Sequence, residues 1–139
     1  MVSTLRSLRS AICICATLIV FSTICVDATI PAALQESESV VVKMTPDHKF
    51  LPEKLTVKAG QTVEWVNDDK DMPHEVTTDA NVASDPNDVS IPEGAAPFDS
   101  RLITGGKSFR HQFTVPGLYR YACPPHESDG MLGEVTATK

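Results

Sequence analysis

Between positions 121 and 131 the chain reads Tyr-Ala-Cys-Pro-Pro-His-Glu-Ser-Asp-Gly-Met, which sets a thiol, an imidazole and a thioether at Cys123, His126 and Met131. The three are close enough for one tight loop to wrap a single metal ion. A soft sulfur and a borderline nitrogen hold copper strongly, and a thioether suits copper as a long, weak axial ligand. Zinc has little use for that thioether. Three donors are too few, and Pro73-His74, following a hydrophobic strand, is the best source of a second imidazole. The expected set is His74, Cys123, His126 and Met131 around one copper ion.

The beginning of the chain reads differently. Arg6 and Arg9 precede an uncharged, mostly apolar run from Ala11 to Val26, and Val26-Asp27-Ala28 supplies the small residues of a signal-peptidase site. A secretory signal over 1–28 is expected, with retention as an anchor the alternative. Residues 29–38 read as a flexible leader, and 39–139 as the folded domain. Cys13, Cys15 and Cys25 all fall in the signal, so Cys123 is the one cysteine left to the exported protein. A lone exported thiol has no intramolecular disulfide partner and oxidises unless it is buried or bound to metal. Cleavage also removes two cations and one anion, leaving the remainder one unit more negative than the −6 of the whole chain. An acidic domain of this kind argues against nucleic acid. It suits a cationic protein partner.

From Ser39 onward hydrophobic alternation points to strands, and no helix-period stretch of convincing length appears. Val40, Val42 and Met44 share one face, as do Leu55 with Val57, Val63 with Trp65, and Phe109, His111, Phe113 and Val115. After the Pro116-Gly117 turn, Tyr119, Tyr121 and Cys123 alternate, which aims the sulfur to the side of two aromatic rings. Met131, Gly133, Val135 and Ala137 share parity on a last strand. Residues 79–106, rich in Asp, Asn, Pro and Gly, read as a long connection with a short strand or turn near Ser90 and Ile91. Short strands with turns between them in about 100 residues suggest an all-β antiparallel sandwich. By parity His111 reads as a hydrogen-bonded core imidazole, not a ligand. His48, in the Asp47-His48-Lys49 turn, reads as solvated.

These motifs resemble the small blue copper proteins, the cupredoxins, and within them the plastocyanin, pseudoazurin and amicyanin group. The first half matches through Phe50-Leu-Pro52, Leu55-Thr-Val57, Val63-Glu-Trp65-Val-Asn67 and Pro73-His74. The second matches through Gly117-Leu-Tyr119-Arg-Tyr121-Ala-Cys123-Pro-Pro-His126 and Gly130-Met131-Leu-Gly133-Glu-Val135. The spacing of cysteine, histidine and methionine is that of the plastocyanin form. The resemblance implies a Greek-key β-sandwich of eight strands with copper at one end, cycling between Cu(I) and Cu(II). It departs from the plastocyanin pattern at Ala122, where those proteins usually carry tyrosine, and at Glu75, where asparagine is frequent.

A soluble, exported electron carrier follows, shuttling single electrons between redox proteins in a periplasm or thylakoid lumen. A monomer is expected, with no nucleic-acid partner and no membrane insertion after cleavage. Pro124 and Pro125 stiffen the loop and remove two donors, leaving the Glu75 amide as the main hydrogen bond to the sulfur, with Asn67 also supporting the site. The ring edge of His126 is the expected electron port, in an uncharged patch of Met72, Pro73, Pro124, Pro125 and Leu132. Asp68, Asp69, Asp71, Glu127 and Asp129 at its rim are candidates to steer a basic partner such as a c-type cytochrome. The competing readings are a copper-delivery protein, a thiol hydrolase using Cys123, and a structural zinc site.

Overall fold

A computed structural model describes residues 39–139, and the signal and leader expected over 1–38 lie outside the described residues. Seven strands run β1 Val40–Thr45, β2 Lys49–Leu51, β3 Lys54–Lys58, β4 Thr62–Asn67, β5 Ser108–Gln112, β6 Gly117–Ala122 and β7 Leu132–Thr138. They form two sheets, ordered β2-β1-β4-β5 and β3-β7-β6. The pairing corrects the antiparallel expectation in two places, because β1 runs parallel to β4 and β3 parallel to β7. The sheets of four and three strands make up the expected all-β sandwich, with seven strands among the described residues. Along the connecting segments only isolated bridges form, His74 with Ile103, Thr77 with Asp99 and Ala122, and Ser90 with Arg120. Prolines at 86, 92 and 97 remove the donors a continuous ladder needs there.

The alternation works as a register device. Val42, Met44, Val57, Val63, Trp65, Val135 and Ala137 all point into the space between the sheets and are buried. Trp65 lies at the middle of that core, with the rings of Tyr121, Phe98, Phe109 and Phe113 at centroid distances of 5.4, 5.8, 5.9 and 6.1 Å. Such aromatic contacts add roughly 0.5–1.5 kcal/mol per pair beyond the area they bury. Gly133 is required where β7 crosses Tyr121, since a Cβ there would overlap the phenol ring. His111 is half-buried and stacks on Phe98 at 4.1 Å, so its inward parity serves packing.

One departure from pure strand reading falls after β6. Residues Pro124–Asp129 form a 3₁₀ segment with prolines in its first turn, where their missing N–H groups cost nothing. Gly130 ends it in the left-handed region, φ 78°, and β7 begins two residues later.

Candidate metal centre

The inward parity of β4 ends on a polar residue, Asn67, which is buried. Its amide nitrogen donates to the carbonyls of Met72 at 2.9 Å and Ile103 at 2.8 Å, while its oxygen accepts from the Asp69 amide at 2.8 Å. These three bonds fold residues 68–73 into a fixed turn that delivers His74 to the end of the sandwich. His74 then exchanges backbone hydrogen bonds with Ile103, at 3.1 and 2.7 Å. On the other side, β6 leads directly into Cys123, whose carbonyl accepts from the His126 amide at 2.8 Å. The Met131 carbonyl accepts from the Cys123 amide at 3.1 Å, and the Met131 amide donates to the His126 carbonyl at 3.2 Å. The loop is closed on itself by its own backbone.

Three donor atoms meet where these segments converge. Nδ1 of His74 lies 3.1 Å from Nδ1 of His126, and Sγ of Cys123 lies 3.4 Å from the latter and 3.8 Å from the former. The centre of that triangle is about 2 Å from every corner, which matches the ~2.0–2.1 Å reach of a metal to imidazole and falls slightly short of ~2.3 Å to thiolate. All three residues are buried, and they form a metal-capable group. Met131 is fully buried, and its backbone hydrogen-bonds to those of Cys123 and His126. A thiolate with two imidazoles is donor chemistry that suits copper, and the thioether of Met131 would complete it.

Burial dominates the electrostatics. It pushes the Cys123 thiol up to about 11, against the downward pull of the Glu75 and His126 amides. The Glu75 N–H points at the sulfur across 3.3 Å. Burial also holds both His74 and His126 below the ordinary imidazole range, so at neutral pH their nitrogens offer lone pairs. Behind His74, Asp69 accepts from the Asp71 and Met72 amides through one oxygen and faces Nε2 of the imidazole with the other, 3.6 Å away. That is ion-pair range, not a hydrogen bond, and among the described residues this nitrogen has no other polar partner.

Several expectations need correcting. Asp69 and Glu127 are buried and do not lie on a solvent rim. Asp69 is turned inward by the turn it closes, while Glu127 accepts from the Ser84 and Asp85 amides at 2.9 and 2.7 Å and so ties the long connection to the ligand loop. Asp68 pairs with Lys43 and Asp129 with His48, and Asp71 is exposed. Of the uncharged patch, Met72 and Pro125 are exposed and Pro73, Pro124 and Leu132 half-buried.

His126, whose ring edge is expected at the solvent, is buried, and one face of its ring lies against His48. The two imidazoles stack with centroids 3.9 Å apart and planes 18° from parallel. His48, expected to be solvated in its turn, is half-buried by this contact. Nothing in its local sequence announces this, because the contact is made between the β1–β2 turn and a loop at the far end of the chain.

A β-sandwich holding a histidine-cysteine-histidine group at one end defines a class of small metal-carrying domains. Residues 38–138 match the family model of copper binding proteins, plastocyanin/azurin family, and the chain belongs to that family. It is 34% identical over 104 residues to plastocyanin of Scenedesmus fuscus, covering 70% of this chain and 97% of that one. It is 30% identical over 115 residues to chloroplastic plastocyanin of Chlamydomonas reinhardtii, covering 78% and 73% respectively. Among solved structures it resembles an oxidized mutant of amicyanin, with 29% identity and a TM-score of 0.55 over 71% of this chain and 81% of that one. It also resembles a copper-containing nitrite reductase from Thermus scotoductus, with 28% identity and a TM-score of 0.58, over 73% of this chain but 23% of that one. The chain is accordingly a copper electron carrier of the plastocyanin-like, cupredoxin kind, passing electrons among redox proteins.

Proposed function

We propose that His74, Cys123, His126 and Met131 are the copper ligands, and that the protein shuttles single electrons outside the cytoplasm with no substrate chemistry of its own. The observation that carries this reading is the convergence of two Nδ1 atoms and one Sγ within 3.8 Å of one another in a buried site. Copper, when bound, supplies a one-electron couple. The chain's own contribution is to hold its donors in one arrangement for both states, since each is fixed by strand, proline or backbone hydrogen bond. Four protein donors leave no open position for a substrate, unlike the sites of metal hydrolases.

The apolar run behind Arg6 and Arg9 supports export, and the overall acidity supports a cationic partner such as a c-type cytochrome. The test is spectroscopy of the copper-loaded protein. Cys123→Ser abolishes the intense visible absorption of the Cu(II) thiolate, and Met131→Leu keeps the colour while shifting the potential. Full colour in Cys123→Ser refutes the ligand assignment. Reduction by a cationic cytochrome slows as salt is raised; a flat salt dependence removes the cationic partner.

A further inference from the structure

His48 is an aromatic residue packed on the centre for which the copper-ligand chemistry has no use. Its ring stacks on His126 at 3.9 Å and meets His74 edge-on at 6.1 Å, so it covers both imidazoles. Two further observations say that this placement is built. His48 sits in the left-handed region, φ 55°, a conformation unfavourable for a residue with a Cβ and to which histidine is better suited than most. Its Nδ1 is 2.8 Å from the Asp129 carboxylate, which belongs to the ligand loop itself. The β1–β2 turn is thereby clamped to the loop that carries Cys123, His126 and Met131. His126 is left with 5% of its surface exposed, whereas the His48 side chain keeps 29%.

From this geometry we infer that His48, and not His126, is the outer surface through which electrons leave and reach the centre. An acceptor that touches the protein here meets the His48 ring first, and the path continues by ring-to-ring contact into His126. The inference rests on the ligand reading given above and deepens it. The elementary event is a single electron passing from a reduced to an oxidised molecule, with no bond made or broken and no proton moved.

Electron self-exchange between reduced and oxidised copper-loaded protein tests this without any foreign partner, alongside the visible spectrum and the rate at which His126 of metal-free protein is carbethoxylated. In His48→Ala the Cu(II)–thiolate band persists and His126 becomes open to modification. Exchange nonetheless slows by at least about tenfold, because a ring of about 3.5 Å thickness has been lost from the contact path. His48→Phe restores the stack, keeps His126 protected and holds exchange within about threefold of the parent. Should His48→Ala not bind copper, His48→Leu, which keeps apolar cover without a ring, replaces it in the comparison. Equal or faster exchange in a blue ring-deleted variant overturns the inference alone. A parent protein that never develops the band refutes the ligand set, and the inference with it.

Discussion

Asp69 and His74 face each other across 3.6 Å, carboxylate oxygen to Nε2, on the side of the imidazole opposite the nitrogen that looks toward Cys123. The pair is buried, and the carboxylate is held by two backbone amides, so its charge is fixed in place. Groups in this position orient a ligand histidine and raise its basicity, and their loss typically weakens metal binding by about 10–100-fold.

Asp69→Asn removes the charge while its remaining oxygen still accepts from the Asp71 and Met72 amides. Copper affinity is expected to fall by about tenfold or more. The reduction potential rises, because a negative charge that favoured the more positive oxidised state is gone. Competition with a chelator and electrochemistry measure the two effects; an unchanged potential would mean that Asp69 only shapes the turn.

Metal uptake should release close to one proton per ion at pH 7–8. The buried Cys123 thiol, pushed up to about 11, is protonated in the metal-free protein and must give up its proton to ligate, whereas the two histidines are already neutral. A weakly buffered titration with a pH indicator counts the proton. Metal-free Cys123 should also react slowly with thiol reagents, being both buried and protonated.

Glu127→Ala leaves the Ser84 and Asp85 amides without their carboxylate acceptor. Charge-assisted hydrogen bonds of this kind are worth about 1.5–3 kcal/mol each, and water recovers part of the loss at these partly exposed amides. A destabilisation of about 2–3 kcal/mol in denaturant unfolding is expected. Copper affinity should fall too, because the same residue anchors the ligand loop. Glu127→Gln, which keeps one acceptor, should lose less.

Burial, together with the neighbouring Asp99 carboxyl, pushes the Glu75 carboxyl up to about 7. A raised acid binds more protons folded than unfolded, so its contribution to stability is complete below the ordinary pKa of 4.5 and is lost as pH rises through about 7. Glu75→Gln does not ionise. The melting temperature of this variant, relative to the parent, is expected to climb between pH 5 and pH 7.5; a constant difference would exclude the linkage. Its backbone amide still reaches the sulfur.

The sequence made some of this legible and hid the rest along a clear line. The parity of Met131, Gly133, Val135 and Ala137 placed a strand correctly because one face of it is buried and the other wet. Likewise Cys123 follows two inward tyrosines on β6, and the short cysteine-to-histidine spacing confines both donors to one loop. His111, expected as a hydrogen-bonded core imidazole, is instead half-buried and stacked on Phe98, outside the metal-capable group. The five carboxylates expected at the rim, by contrast, gave no local sign that Asp69 and Glu127 would be buried.

What the chain determined by itself was therefore everything governed by near neighbours: the β character, the copper-type donors and the loop that carries three of them. Tertiary structure alone decided that Asp69 turns inward to His74, that Glu127 receives Ser84 and Asp85, and that His48 roofs His126. Each of these joins segments distant in sequence, and which side chains meet there depends on how two sheets stack and where their loops close. Periodicity records whether a residue faces the core; it carries no record of what stands opposite.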